Sequence, residues 1–143
     1  MQAALAEARA AAARGEVPVG AVVTAPDGTV IARAGNEIRA RADPTAHAEM
    51  LVLRRAARAA GSERLTGHAL FVTLEPCAMC AGAIALARIA RLYFGAPDPK
   101  GGGTIHGARV FAQTQCNHRP EIYDGIAAAE SAALLRAFMA CRR

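Results

Sequence analysis

Residues 69–80 read ALFVTLEPCAMC, and this stretch decides the fold. Its first six residues are a continuous apolar run of strand length, and Pro76 suits the first turn of a helix predicted over residues 78–87. Cys77 and Cys80 are three positions apart at the start of that helix, so both sulfurs lie on one face and within reach of one ion. Because a helix N-terminus favours anions, it promotes binding through thiolates. The stretch predicts a strand followed by a helix that carries a metal-binding pair.

A second motif, His47-Ala48-Glu49, lies roughly 30 residues upstream, in the first turn of a helix that Pro44-Thr45 opens and Gly61 ends. Side chains lean toward the N-terminus of their helix, so His47 can reach beyond that end to meet the two cysteines. Two thiolates and one imidazole suit zinc, and three protein ligands leave a fourth position for water. This arrangement predicts a catalytic zinc site. The alternative is a structural zinc, with a fourth ligand from Cys116, His68, His106 or His118, none of which lies in a ligand-like pair.

Glu49 lies two residues from the predicted ligand His47. A carboxylate in this place can take a proton from a zinc-bound water, whose pKa the metal lowers to about 7, and pass that proton on. The pairing of H-x-E with P-C-x-x-C is the signature of zinc nucleobase deaminases. We therefore expect zinc-bound hydroxide to be the nucleophile and Glu49 to be the proton shuttle.

The remainder of the chain alternates helices with short strands, which predicts a single domain over residues 1–143, with an α/β sandwich around one mixed sheet. Residues 96–120 contain three prolines and a run of three glycines at 101–103, so we expect a flexible loop on the substrate side, with one short strand near residues 110–111. The other predicted elements are a helix over 2–14, a β-hairpin with strands over 19–24 and 29–34, a strand over 92–94 and an amphipathic helix over 126–139.

The composition limits the class of protein. Hydrophobic residues make up 53% of the 143 residues but aromatic residues only 4%, which favours helices that approach one another closely. No apolar run approaches the roughly 18 residues of a membrane span, and charges interrupt the opening stretch where a signal peptide would be apolar. We therefore expect a soluble cytoplasmic protein. The four cysteines then favour metal or catalytic chemistry over a disulfide framework.

The charge balance favours an anionic partner. The net charge is +5, and of the 17 basic residues only Lys100 is a lysine. Guanidinium groups suit phosphates and base stacking, which is typical of a protein that binds nucleic acid. A solvated, arginine-rich surface explains the same composition equally well.

The two motifs belong to a larger set of stretches that match one protein family. These matching stretches are residues 17–22, Asn36, 43–49, 73–83, 94–96 and 117–119. On these stretches the chain resembles the bacterial tRNA adenosine deaminases, within the cytidine deaminase-like superfamily, from about Glu16 to near its C-terminus. The resemblance implies a three-layer α/β/α sandwich around a mixed five-stranded sheet, a homodimer, and hydrolysis of adenosine to inosine at the wobble position of a tRNA anticodon stem-loop.

The resemblance also implies roles for individual residues. One zinc ion per chain is expected on His47, Cys77 and Cys80, with Glu49 as the proton shuttle. Lys100, Arg142 and Arg143, together with the final helix, form a candidate RNA face. The residues expected to contact the substrate are Asn36, Ala48, Asp98, Lys100, Asn117, His118 and Arg119.

Two other functions stay open on the sequence. The same zinc chemistry supports deamination of a free nucleobase or nucleoside such as guanine or cytosine, because a fold does not fix its substrate. A non-catalytic, zinc-stabilised binding module is the third interpretation, against which Glu49 and the missing fourth ligand argue. Residues 94–119 discriminate between the first two, since an RNA enzyme needs an open groove lined with arginine and a free-base enzyme needs a lid.

Overall fold

The computed structural model describes residues 1–142, so Arg143 of the candidate RNA face lies outside the described residues. Within the described part, five strands form one sheet in the order β2-β1-β3-β4-β5, with helices on both faces. The helices are α1 Gln2–Ala13, α2 Ile38–Arg41, α3 Ala48–Ala60, α4 Ala78–Leu86 and α5 Ala128–Ala140, and the strands are β1 Gly20–Thr24, β2 Val30–Gly35, β3 Ala69–Leu74, β4 Arg91–Ala96 and β5 Glu121–Tyr123.

The sheet is mixed, as the sequence predicts. β1 pairs antiparallel with β2 through the hairpin, and antiparallel with β3, where Ala21 lies opposite Val72. β3 and β4 are parallel, with Leu70 opposite Leu92, and β4 is parallel to β5. A parallel pair needs a crossover connection, and α4 provides it between β3 and β4. This crossover places the start of α4 at the carboxyl end of β3.

The helices cover the two faces of the sheet in separate layers. On one face α1 packs on β1 and β2, and α5 packs on β4. Helices α1 and α5 also contact each other. α3 packs on β1 and β2 and contacts α4. Alternating residues of a strand point to opposite faces, and Gly20 faces α1 while Ala21 belongs to the core beneath α3. The architecture is therefore the expected α/β/α sandwich.

α1 lies unusually close to the sheet because small residues line their contact. A Cβ atom at Gly20 would lie 2.1 Å from the carbonyl oxygen of Ala4 and 2.4 Å from the backbone nitrogen of Ala8. Ala4 and Ala8 are fully buried. The small residues on both sides of this contact thus allow α1 to pack closely on the sheet.

The prediction of a strand near residues 110–111 is wrong. Val110–Ala112 is a single 3₁₀ turn, because Gly107 and Arg109 adopt left-handed backbone conformations, with φ of 57° and 46°, that interrupt any extended run. The fifth strand is β5 instead, and it pairs along β4 with Arg91 opposite Glu121. Only three residues long and mostly exposed, β5 shows no apolar alternation in the sequence.

The second predicted helix begins later than the sequence indicates. Pro44-Thr45 predicts its start, but α3 begins at Ala48, with His47 as its N-cap. The carboxylate of Asp43 accepts hydrogen bonds from the backbone N–H of Thr45 (2.8 Å) and from its hydroxyl (2.7 Å). Such a local turn competes with helix formation, so the helix starts only after it. The short helix α2, ahead of this turn, has no counterpart among the predicted elements.

None of the helices in residues 1–142 combines the length and the apolar composition that crossing a membrane requires.

Candidate metal centre and active site

Two helix N-termini meet at one point beside the sheet. His47 is the N-cap residue of α3 and Cys77 is the N-cap residue of α4, both with extended backbone conformations. An N-cap side chain projects back over the start of its helix, so these two residues point toward each other across the interface of α3 and α4. Cys80 lies in the first turn of α4 and is fully buried. The three side chains separated in the sequence thus share one corner of the molecule.

The three side chains have the geometry of a metal site. The Nδ1 atom of His47 lies 3.7 Å from Sγ of Cys77 and 3.6 Å from Sγ of Cys80, and all three atoms lie within 4.8 Å of one another. Tetrahedral zinc, with Zn–S of about 2.3 Å and Zn–N of about 2.0–2.1 Å, separates a nitrogen from a sulfur ligand by about 3.6 Å. The residues therefore fit a divalent metal in a Cys₂His site.

Hydrogen bonds among the three side chains shift their pKa values in different directions. Hydrogen bonds from the Cys80 thiol and the His47 ring lower the pKa of Cys77 to about 4. The hydrogen bond that Cys80 donates to Cys77, together with burial, raises the pKa of Cys80. The hydrogen bond to Cys77 also raises the pKa of His47, although burial opposes this shift. The hydrogen bonds around Cys77 thus favour its thiolate form, which suits a cation.

Glu49 is the second residue of α3 and is 4% exposed. Burial raises the pKa of Glu49 to about 7, while the positive charge of His47 opposes the shift. A carboxyl group with a pKa near neutrality exists in both protonation states at physiological pH, which suits a group that both accepts and donates a proton. The structure places this group in the same pocket as His47 and Cys77.

A cavity of about 280 Å³ opens over the cluster. Asn36 and Asp98, both predicted to contact the substrate, line it together with the metal-site residues. Asn36 is 4% exposed, and its backbone N–H donates to the carbonyl of Val19 at 3.0 Å. Further lining residues, which the sequence motifs do not indicate, are Val17, Val19, Ile38, Leu74, Glu75 and Gly101. Four of these residues fall in the matching stretches 17–22 and 73–83, which is the signal that could have indicated them, namely Val17, Val19, Leu74 and Glu75.

The remaining predicted contact residues lie elsewhere. Ala48 is fully buried at the start of α3, and Lys100 lies exposed on the turn after Asp98. His118 points inward, with Nε2 donating to the carbonyl of Ile89 at 2.6 Å. Asn117 lines a separate apolar groove of about 410 Å³ beside α4, and Arg119 lines a third groove. The structure thus does not bring these residues into the cavity.

The candidate fourth ligands of a structural zinc also lie outside the cluster. Among residues 1–142, only His47, Cys77 and Cys80 form a group with metal-binding geometry. Each alternative is engaged elsewhere: His68 with the carbonyl of Thr66, His106 with Glu75, Cys116 with the carbonyl of His118, and His118 with Ile89. The three-ligand site with an open position is therefore the arrangement that the fold supports.

Gly102 and Gly103 of the run at 101–103 are buried and closely packed, which the expectation of a flexible loop did not include, whereas Gly101 is exposed. The backbone N–H of Gly103 donates to the carbonyl of Pro76 at 2.8 Å, and a Cβ atom at Gly103 would lie 2.3 Å from the backbone nitrogen of Ala78. A Cβ atom at Gly102 would lie 2.6 Å from Cδ of Glu75. These glycines allow the loop to lie directly against the first turn of α4, beside the metal site.

Comparisons with known proteins agree with this site. The family model for MafB19-like deaminases matches residues 1–142. A tRNA-specific adenosine deaminase of Agrobacterium fabrum (strain C58) is 56% identical over 100% of this chain and 93% of its own length. A solved structure from a study of A-to-I editing by tRNA:A34 deaminases is 57% identical, with a TM-score of 0.92 over 94% of this chain and 97% of that one.

A more distant match is a guanine deaminase of Bacillus subtilis. It is 36% identical, with a TM-score of 0.65, over 67% of this chain and 61% of that one. Deaminases with different substrates share this fold. The relatives that are more than half identical over nearly the full chain are tRNA adenosine deaminases. The chain belongs to the family of bacterial tRNA-specific adenosine deaminases, among the MafB19-like deaminases.

Proposed function

We propose that the protein hydrolyses adenosine to inosine at the wobble position of a tRNA anticodon, with one zinc ion per chain held by His47, Cys77 and Cys80. The observation that carries this proposal is the convergence of these three ligands beside the buried Glu49, in a chain 56% identical to a tRNA-specific adenosine deaminase. In the net reaction water adds across the C6=N1 bond of adenine and the amino group on C6 leaves as ammonia, so that oxygen replaces nitrogen on C6.

The size of the cavity supports a single base as the group that enters it. At about 280 Å³ it is at the lower end of ligand pockets and cannot admit a folded stem-loop. Enzymes that act on a base in a folded nucleic acid rotate that base out of its stack into such a pocket. The net charge of +5 supports attraction of the surrounding phosphates.

When bound, zinc supplies the Lewis acidity that makes water nucleophilic near neutral pH. With zinc bound, Glu49 would take a proton from the attacking water and deliver it to N1 of adenine. It would then take the proton of the new hydroxyl group on C6 and deliver it to the amine, which leaves as ammonia. The pKa of about 7 that burial gives Glu49 suits both the acceptance and the delivery of a proton.

Asn36 and Ala48 are proposed to orient the base. The side chain of Asn36 belongs to the cavity lining and is nearly buried there. Ala48 is the first residue of α3, so its backbone N–H has no acceptor within the helix. Ala48 is fully buried and does not line the cavity, so its role rests on the family resemblance. Asp98 borders the same cavity. Binding of the base thus fixes it beside the metal site, which removes the entropy cost of a bimolecular encounter.

The RNA around the base is proposed to contact residues outside the cavity. Lys100 is exposed on the loop that borders it, and Asn117 and Arg119 line neighbouring grooves. His118 holds the segment between those two residues through its bond to Ile89. Contacts of this kind position an RNA without reading its bases.

We also propose that the protein is a homodimer and acts in the cytoplasm, where tRNA is found. The proposal of a dimer rests on the family resemblance. In addition, the side chain of Leu86 is 79% exposed in the apolar groove beside α4, and a second copy of the chain would cover this groove. Light scattering coupled to gel filtration measures the mass directly. A mass of one chain at micromolar concentration would contradict this part of the proposal.

Deamination of a free base is the second candidate, which the similarity to the guanine deaminase favours. The zinc-loaded protein is incubated with an anticodon stem-loop carrying a wobble adenosine and, separately, with guanine, cytosine and cytidine. Inosine in the digested stem-loop, together with an equal amount of ammonia, is the expected result. A stem-loop with guanosine at the wobble position is the matched control. Turnover of a free base without inosine in the stem-loop would replace the proposed function with the second candidate.

A further inference from the structure

We propose that Glu75 is a positioning residue of the active site, whose buried carboxylate holds residues 98–106 in place as one wall of the substrate cavity. Glu75 is 2% exposed, and it lies at the end of β3, two residues before Cys77. The sequence motif explains its neighbours Pro76 and Cys77 through the metal site, but assigns no role to this carboxylate. Its part in activity rests on the proposed function, whereas its hold on the loop does not.

The carboxylate receives four hydrogen bonds from both ends of one loop. Its Oε1 atom accepts from the backbone N–H groups of Ile105 and His106, both at 2.9 Å. Its Oε2 atom accepts from the backbone N–H of Asp98 at 2.9 Å and from Nδ1 of His106 at 2.8 Å. A carboxylate is acceptor-only and offers about four lone-pair sites, so the four donors match its capacity.

This anchored loop forms part of the cavity. Asp98 and Gly101 line the cavity together with His47 and Glu49. The side chain of Asp98 accepts from the backbone N–H of Gly101 at 2.9 Å, which closes the turn between them. Because Glu75 binds the backbone where this turn begins, the place of the wall is set by Glu75. Glu75 itself also lines the cavity, but the four donors occupy its carboxylate, so it acts on the substrate through the place of this wall.

An amide in place of the carboxylate cannot make the same four bonds. The amide of Glu75→Gln keeps one acceptor oxygen and gains an N–H₂ group, which would meet the donors from Asp98 or from Ile105 head-on. Leaving buried donors without an acceptor carries a large penalty, so we expect the loop to separate from this anchor. The metal ligands are untouched, since neither Cys77 nor Cys80 bonds to Glu75.

The test compares Glu75→Gln with the unaltered zinc-loaded protein. Hydrogen exchange measures the anchor directly, and the amides of residues 98, 105 and 106 are expected to exchange at least about tenfold faster in the variant. Zinc content is expected to stay the same. The KM for the anticodon stem-loop is expected to rise at least about fivefold while kcat changes by less than about twofold, because binding and not chemistry loses its support.

His106 offers a conservative rescue. His106→Asn keeps a donor near the position of Nδ1 and is expected to retain the KM of the unaltered protein, whereas His106→Ala is expected to raise it. If Glu75→Gln does not fold, these two variants carry the same test. Glu63→Gln, at an exposed site in the turn after α3, is the matched control and is expected to change neither exchange nor KM.

Two results would overturn the proposal. One is unchanged exchange at residues 98, 105 and 106 with an unchanged KM, which would mean that the loop keeps its place without Glu75. The other is loss of zinc with a fall in kcat, which would mean that Glu75 supports only the metal ligands. Failure of the unaltered protein to produce inosine would contradict the proposed function, while the exchange measurement would still decide whether Glu75 anchors the loop.

Discussion

The Nδ1 atom of His47 lies 3.6 Å from Sγ of Cys80, although 33 residues separate the two in the chain. Two helices that start beside each other at the carboxyl end of β3 produce this proximity. The distance is that of two ligands of one tetrahedral zinc ion, about 3.6 Å. The most direct predictions concern what happens when one of these groups is removed.

Replacing the buried Cys80 with Ser is expected to weaken zinc binding by more than about 100-fold, beyond the 10–100-fold typical of groups that only support a ligand. Competition with a chromophoric chelator measures the affinity. Cys141→Ser, which changes an exposed free thiol, is the control and is expected to bind zinc normally. Equal zinc affinity in the two variants would contradict the assignment of Cys80 as a ligand.

Glu49→Gln is expected to retain zinc and to lose activity, with kcat reduced by about 10²–10⁴ because proton transfer is lost. Gln has nearly the same size and remains compatible with the 4% exposure of the site, so folding is expected to be preserved. Single-turnover assays on the stem-loop, with zinc quantified in the same sample, separate the two effects. Near-normal inosine formation would show that another group moves the protons.

Glu37 gives a pH dependence with a definite sign. Burial opposes its ionisation, but the hydrogen bonds and charges of Arg41 and Arg55 outweigh burial, so its pKa lies below the ordinary value of 4.5. A lowered folded-state pKa contributes stability above the unfolded value, and this contribution is lost as the pH falls through the folded value. The ion pairs therefore stabilise the protein at neutral pH and not in acid.

Glu37→Gln is accordingly expected to lower the free energy of unfolding by about 0.5–1 kcal/mol at neutral pH, the upper part of the range for partly exposed pairs. At about pH 3 the two proteins are expected to differ little, since Glu37 is then becoming neutral in the unaltered protein as well. Denaturant unfolding at both pH values provides the measurement. A stability difference that grows toward acid would contradict the lowered pKa of Glu37.

Gly20→Ala is expected to destabilise the protein by about 1–3 kcal/mol or more, because the added Cβ would lie 2.1 Å from the carbonyl oxygen of Ala4 and would push α1 away from the sheet. Gly82→Ala is the matched control. Gly82 lies within α4 with nothing within 4 Å of its added Cβ, so Ala is expected to stabilise by about 0.5–1 kcal/mol. Calorimetric unfolding compares them. A Gly20→Ala protein as stable as the unaltered one would contradict the close packing of α1.

Helices and the central strands can be predicted because their signals are local. Strong helix formers mark α1, and a continuous apolar run marks β3. β5 cannot be predicted, because three mostly exposed residues become a strand only through pairing with β4. The late start of α3 has a local reason of another kind, the turn that the Asp43 side chain closes around Thr45.

The candidate site, like the fold, has some features that the sequence predicts and others that it does not. The H-x-E and P-C-x-x-C motifs indicate the metal-site residues, and the structure brings their ligand atoms together. The anchoring of residues 98–106 by Glu75 cannot be predicted, because its four donors come from backbone and imidazole groups that lie 23 to 31 residues away. Proline and glycine in that segment indicate a flexible loop, whereas the glycines serve close packing against α4.

The sequence alone determined which chemical groups are available: two thiols and an imidazole at helix starts, with a carboxyl group two residues from the imidazole. The identity and local spacing of these groups determine which kind of metal ion they can bind. The tertiary structure alone decided the distances between the groups, the burial that raises the pKa of Glu49, and the cavity wall. Those properties arise from contacts between distant segments, since desolvation and hydrogen bonding depend on what the folded chain packs around each group.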